Sequence, residues 1–207
     1  FTLNDQSEIT IEINPATIDE KKLDVYLGGG INRFSVGAQT FNDALLHKCG
    51  RKHSSQDTRN TLQMLKSRNL NYSFDLLFAL PTQTLSQLKK DLEEIAQFDP
   101  PHLSAYCLTL PQNHPLSRGR PPEGLQLEMF DLVDSRLDEI GLKKYEISNY
   151  AQPGKESQHN CLYWTHQPYW GIGISAHSYL PPLQSFSPLN EDQGIRFWNY
   201  NHMQKYL

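Results

Sequence analysis

The 207 residues include only three cysteines, Cys49, Cys107 and Cys161, and no two of them form a Cys-x-x-Cys pair. That excludes a zinc knuckle and a disulfide framework, and an odd, scattered set suits a reducing compartment. Also missing is any apolar run near the ~20 residues that a membrane-crossing helix needs. The longest, Leu76 to Leu80, suits a buried strand. Basic charge is in short supply. Lys and Arg number 19 against 23 Asp and Glu, and the net charge of −4 has the wrong sign for a nucleic-acid surface. No methionine opens the chain. Phe1 begins in mid-pattern, so the sequence reads as a fragment or a truncated product whose N-terminus says nothing about targeting. With 38% hydrophobic and 20% charged residues, the composition is that of a soluble globular protein with one good core.

What is present is an alternation of strand and helix signals. Ile9, Ile11 and Ile13 recur at the strand period, and residues 19–27 form a polar helical stretch closed by Gly28-Gly29-Gly30. Phe34 and Val36 then alternate with Arg33 and Ser35 in a second strand, which Gly37 breaks and Gln39 ends. A short helical turn leads to Cys49-Gly50-Arg51. Ser54 to Asp57 offers a helix start, with Leu62 and Leu65 on one face, Arg59 as ordinary surface charge and Asn69 near the stop. Asp75 to Leu80 reads as a third strand. Thr84 with Gln87 makes a capping box ahead of Leu85, Leu88, Leu92 and Ile95, until Pro100-Pro101 ends the helix. Leu103 to Leu108 is a fourth strand, a Pro-rich loop spans 111–122, and a long apolar stripe from Leu125 to Ile140 closes at Gly141.

Such alternation predicts an α/β fold with parallel strands joined by helices. Four units are too few to close a barrel of eight strands. The expected organisation is a partial (β/α) barrel over 1–141 and a small irregular C-terminal lobe over 142–180, packed on the barrel edge. Residues 181–207 would then form a linker and the start of a further region.

Several side chains in this frame suit chemistry. Glu12 points to the face of Thr10 at a strand end, where a carboxylate can accept from ribose hydroxyls or an ammonium. Gln39 and Arg51 beside it suit a zwitterionic ligand, because Arg grips a carboxylate through two parallel hydrogen bonds. Read alone, each is equally a surface side chain. Asp75 precedes a continuous apolar strand, where an ionised carboxylate is costly without a partner, so a functional role outranks a structural one. Glu8 reads as surface. His159 lies in a polar loop with Tyr163 and Trp164 close behind; imidazole ligates haem iron, and aromatic rings offer the macrocycle a flat apolar surface. A lone loop histidine among eight is ordinarily just solvated. Cys161 is a second candidate iron ligand and reads as a bystander.

Four motifs in order carry a family resemblance: Glu8-Ile-Thr-Ile-Glu12-Ile-Asn-Pro15, Ile31 to His53, Asp75-Leu-Leu-Phe-Ala-Leu-Pro81 with Gln83-Thr84, and Leu103-Ser-Ala-Tyr106. They resemble the oxygen-independent coproporphyrinogen III oxidase-like family of the radical S-adenosylmethionine (SAM) superfamily. His159-Asn-Cys-Leu-Tyr163-Trp164 resembles the motif of its HemW-type haem chaperone branch. The resemblance implies a radical SAM barrel of about six units, of which this chain holds the last four. The Cys-x-x-x-Cys-x-x-Cys loop for a [4Fe–4S] cluster would lie before Phe1, so the cluster belongs only to a full-length protein. By the same resemblance Glu12, Gln39, Arg51 and Asp75 match SAM-contacting positions. Thr109 and His177 fall at two more, with side chains that depart from the family pattern. His159 would ligate haem iron, with Tyr163 and Trp164 around it.

The implied function is a cytoplasmic chaperone that binds haem and SAM and serves apo-haemoproteins of respiration. Its contact with a membrane would be peripheral and through the recipient. The alternative is an oxygen-independent coproporphyrinogen III oxidase (dehydrogenase) of porphyrin biosynthesis. The resemblance leaves open whether such a chain has enzymatic activity and what its oligomeric state is.

Overall fold

The computed structural model describes residues 4–111, 113–182 and 194–206. The chain divides into two compact units, Phe1–Glu156 and Ser157–Leu207.

In the first unit four strands, β1 (Thr10–Ile13), β2 (Arg33–Gln39), β3 (Asn71–Phe78) and β4 (His102–Cys107), lie side by side and parallel. Helices α1 (Glu20–Gly28), α2 (Asp43–Lys48), α3 (Ser55–Ser67), α4 (Leu85–Phe98) and α5 (Glu123–Glu139) follow them in the expected order. Two short strands, β5 (Lys143–Lys144) and β6 (Asn149–Ala151), complete the sheet, β6 pairing antiparallel with β4.

Successive side chains on a strand point to opposite faces, and here the two faces differ sharply. Phe34, Val36 and Ala38 of β2, Phe74, Leu76 and Phe78 of β3, and Leu103 and Ala105 of β4 are buried in one core. From the helices Leu62, Leu65, Leu88, Leu92, Ile95, Met129, Val133 and Leu137 join that core. Each such side chain contributes roughly 1.5–3 kcal/mol on burial, so the strand–helix layer is the source of the fold's stability. The intervening residues on the opposite, inner face are Glu12, Ser35, Gly37, Gln39, Ser73, Asp75, Ser104 and Tyr106. A polar inner face is what lets β3 begin at Asn71, four residues before the expected start. Asn71 and Ser73 belong to the strand's polar side and break the apolar run used to find it.

Helix starts follow the local chemistry. Ser54 and Asp57 form a reciprocal capping box at α3, as Thr84 and Gln87 do at α4. Arg59 is no ordinary surface charge. It grips Glu94 of α4 through Nε at 2.9 Å and Nη2 at 2.7 Å, and its guanidinium lies 5.6 Å from the Phe41 ring centroid. Glu8 likewise is not simply surface: its carboxylate is 3.8 Å from the Arg33 guanidinium, with side chains only 9% and 5% exposed.

Tyr145 to Tyr150, expected in an irregular lobe, enters the main sheet through β6, because Tyr150 and Ala151 are buried against it. The second unit holds α6 (Gln158–Trp164), an antiparallel pair β7 (His177–Leu180) and β8 (Ile195–Trp198), and the short α7 (Met203–Tyr206). Tilted and edge-on aromatic rings link α6 to the strands, and the Tyr206 hydroxyl accepts from the Gly173 amide at 3.0 Å. The early part of the expected 181–207 region, residues 183–193, lies outside the described residues.

Candidate functional site

Parallel strands send all their carboxyl ends to the same edge, and ligands in such sheets bind there. Glu12 is the next-to-last residue of β1 and is paired with Ser35 of β2, which in turn is paired with Ser73 of β3. Asp75 stands two residues further along β3, paired with Ser104. Gln39 ends β2, beyond an irregularity that begins at Val36. Glu12, Ser35, Ser73, Asp75 and Ser104 therefore share one face, and past the irregularity the Gln39 amide reaches back over Gly37.

Gly37 is the pivot of this edge. Arg51 returns from beyond α2 and donates from Nη2 to the Gly37 carbonyl oxygen at 2.7 Å and to Asn14 Oδ1. A Cβ built on Gly37 would meet Arg51 Nη2 at 3.2 Å, Asn14 Oδ1 at 3.4 Å and Gln39 Nε2 at 3.5 Å. The guanidinium and the amide thus lie over one bare stretch of backbone. Gln39 itself adopts a left-handed backbone, with φ of 72°.

The electrostatics of the face favour a cation. Burial pushes the Asp75 carboxyl up to about 6, and the Glu12 carboxylate pushes in the same direction. Hydrogen bonds from Ser104 and Ser35, the latter at 3.3 Å, and the more distant Arg33 charge hold it back. A carboxyl held up by burial and by a neighbouring carboxylate is relieved by a positive group placed beside it. An ammonium or sulfonium meets that need, while Arg51 and Gln39 suit a carboxylate. The inner face fits SAM on these grounds. Ser35 and Ser104, partners of Asp75, were not singled out from the sequence; their signal was the period-two spacing from Arg33 and Tyr106. Tyr106 is exposed on the same face, and burial of its hydroxyl end pushes its phenol up. Thr109 lies two residues past β4, exposed, its hydroxyl donating to the Cys107 carbonyl at 3.3 Å.

The cysteines do not fit an iron–sulfur cluster. Cys49, Cys107 and Cys161 are free and half-buried, and among the described residues no group of three His, Cys, Asp or Glu could hold a metal ion.

In the second unit His159 is on a helix, not in a loop, because Ser157 accepts from the Asn160 amide and starts α6. Helical spacing puts His159 and Tyr163 on one face. The imidazole Nε2 is 3.2 Å from the Tyr163 hydroxyl, and the two rings stand perpendicular. Tyr163 packs in turn on Tyr169, with ring centroids 4.3 Å apart, and burial pushes its phenol up. Trp164 is 52% exposed. Cys161 is two positions from His159, on the opposite side of the helix. His177 opens β7 and lines a cavity of about 550 Å³ with Trp198 and Tyr200.

Residues 3–95 match the family model of the radical SAM superfamily. The heme chaperone HemW of Bacillus subtilis (strain 168) is 37% identical over 185 residues, covering 86% of this chain and 49% of that protein. The heme chaperone HemW of Escherichia coli (strain K12) is 36% identical over 176 residues, covering 83% and 46%. Among solved structures, the coproporphyrinogen III oxidase HemN from Escherichia coli, described as a radical SAM enzyme, superposes with a TM-score of 0.77. It is 20% identical, and the match covers 99% of this chain and 49% of that one, so it speaks for the fold alone. The chain spans about half the length of the curated relatives it matches. A mostly parallel α/β sheet, a matching superfamily model and these relatives agree: the chain belongs to the radical SAM superfamily, on its HemW-type branch, and folds as part of a radical SAM barrel.

Proposed function

We propose that this chain carries the haem motif and part of the SAM site of a haem chaperone, one that binds haem and SAM and hands haem to apo-haemoproteins. The observation that carries this reading is the exposed polar and aromatic surface of α6. An exposed imidazole, a phenol 3.2 Å from it and an exposed indole stand within six residues. That is an open surface on which a flat, iron-bearing ligand can be gripped and released. An enzyme would instead enclose its substrate to exclude water. The names of the 34–39% identical relatives support the same reading.

SAM, when bound, would supply a sulfonium and an amino-acid head group to the inner face. Glu12 and Asp75 hold the positive part, Arg51 and Gln39 orient the carboxylate, and Ser35 and Ser104 steady the Asp75 carboxyl. Thr109 adds contact at the strand end. The [4Fe–4S] cluster belongs to cysteines other than the three in this chain. The recipients are apo-haemoproteins of respiration, met in the cytoplasm or at a membrane face. Among the described residues no helix is long and apolar enough to cross a membrane.

Two assays separate carrier from oxidase. The protein incubated with haemin should form a one-to-one complex with a shifted Soret band, and pass haem to an apo-haemoprotein. Given coproporphyrinogen III, SAM and a reductant, the full-length protein with its cluster assembled should release no decarboxylated product. Many turnovers on that substrate, without haem transfer, would overturn the proposal in favour of the oxidase.

A further inference from the structure

Gln39 and Arg51 belong to a turn whose shape is fixed by a residue outside it. Asp91 lies on α4, on the face that also carries Leu88, Leu92 and Ile95, and is only 2% exposed. Its carboxylate is fully engaged with the segment that follows Gln39. Oδ2 accepts from the Thr40 hydroxyl at 2.7 Å, and Oδ1 accepts from the Phe41 amide at 2.8 Å. Thr40 Oγ1 in turn accepts from the Asn42 amide at 3.1 Å. Asn42 caps α2 by accepting from Leu45. The Arg51 amide closes the far end of α2 by donating to the Leu46 carbonyl at 3.0 Å.

A non-glycine residue in the left-handed region is held only when its surroundings over-determine it, and Gln39 is such a residue. What over-determines it is the pair of bonds to Asp91 on the next two residues. A leucine at position 91 would pack on this apolar face without the cost of burying a carboxylate, a cost visible in the Asp91 carboxyl, which burial pushes up to about 6. What the carboxylate adds over packing is two acceptors aimed at one turn.

We propose that Asp91 is a positioning residue of the SAM site: from α4 it locks the Gln39–Asn42 turn, and so sets both the Gln39 amide and the start of the helix that delivers Arg51. This rests on the SAM reading given above. Asp91 does not touch the ligand position. It acts through Thr40 and Phe41.

The test compares the chain with its Asp91→Leu, Asp91→Asn and Leu92→Ala variants in two measurements: amide hydrogen exchange along residues 39–46, and titration with SAM followed by amide chemical shifts. Asp91→Leu should speed exchange at Phe41 about tenfold relative to β3 amides, and weaken SAM binding by about tenfold, equivalent to about 1.4 kcal/mol. Asp91→Asn keeps an acceptor for Phe41 and a donor for Thr40, and should restore most of both. Leu92→Ala, a core truncation one residue away, should lower the melting temperature yet leave SAM affinity within about twofold of the parent. Should Asp91→Leu not fold, Thr40→Val removes one of the same two bonds and takes its place. Unchanged exchange at Phe41 together with unchanged SAM affinity would overturn the proposal. So would equal loss of SAM affinity in Leu92→Ala. If the parent chain binds no SAM while Phe41 exchange responds as stated, the hold of Asp91 on the turn stands and the SAM reading falls.

Discussion

Arg51 donates to the carbonyl oxygen of Gly37 at 2.7 Å, closing the gap between the residues after α2 and the end of β2. Position 37 has no side chain, and the guanidinium lies close over it. In Gly37→Ala the new methyl would stand 3.2 Å from Arg51 Nη2 and 3.4 Å from Asn14 Oδ1. The guanidinium must then yield. SAM affinity should fall by about tenfold, close to the effect of Arg51→Ala, since loss of a charge-assisted hydrogen bond costs on the order of 1.5–3 kcal/mol. Lys66→Ala, on the outer helix α3, should leave it unchanged. A calorimetric titration in which Gly37→Ala binds SAM like the parent would remove Arg51 from the site.

Stability should depend on pH through two buried groups, Asp91 and His102, and the half-buried Asp75. Asp75 and Asp91 are each pushed from 3.8 to about 6, so between those values the native state holds more protons than the unfolded chain. Their contribution is therefore full below about pH 4 and is lost as pH rises to about 6. His102 opposes them. Burial, and the Arg33 charge behind it, lowers its imidazole from 6.5 to about 3, so its contribution grows as pH rises through that window. Asp75→Asn removes one of the two carboxylates. Urea unfolding should show the variant gaining on the parent by roughly 1–2 kcal/mol between pH 4.5 and pH 7. A constant difference across that range would show that Asp75 titrates normally.

The pair formed by Arg59 and Glu94 ties α3 to α4 just outside the Phe41 ring. Both side chains are about one-third exposed, so solvent weakens the attraction, and two parallel hydrogen bonds strengthen it. A double-mutant cycle with Arg59→Ala and Glu94→Ala should give a coupling of about 0.5–1 kcal/mol that shrinks in high salt. Zero coupling would mark the pair as incidental.

Much of the architecture was legible because local chemistry and burial pointed the same way. Thr84 and Gln87 mark the start of α4 in sequence and in structure alike, and the apolar alternation of Phe34 and Val36 is the core side of β2. Where one face of a strand is polar for the sake of a site, the signal weakens. Asn71 and Ser73 hid the first turns of β3, and Glu8 looked like surface because its partner, Arg33, lies 25 residues on in the neighbouring strand. Asp91 carried a readable clue, an acid on the stripe of Leu88, Leu92 and Ile95, but only the fold reveals what it faces. The helix under His159 was missed because the residues after the Ser157 cap, Gln158, His159 and Asn160, have no apolar period.

The most direct test of the carrier reading is a histidine scan of haem ligation. Each of His159, His166 and His177 is replaced singly by alanine, and haemin titrations are followed at the Soret band. His159→Ala alone should abolish or shift the band, while Arg51→Ala, at the end of β2, should leave it intact. A Soret band indifferent to His159→Ala, with haem bound as tightly as before, would contradict the account.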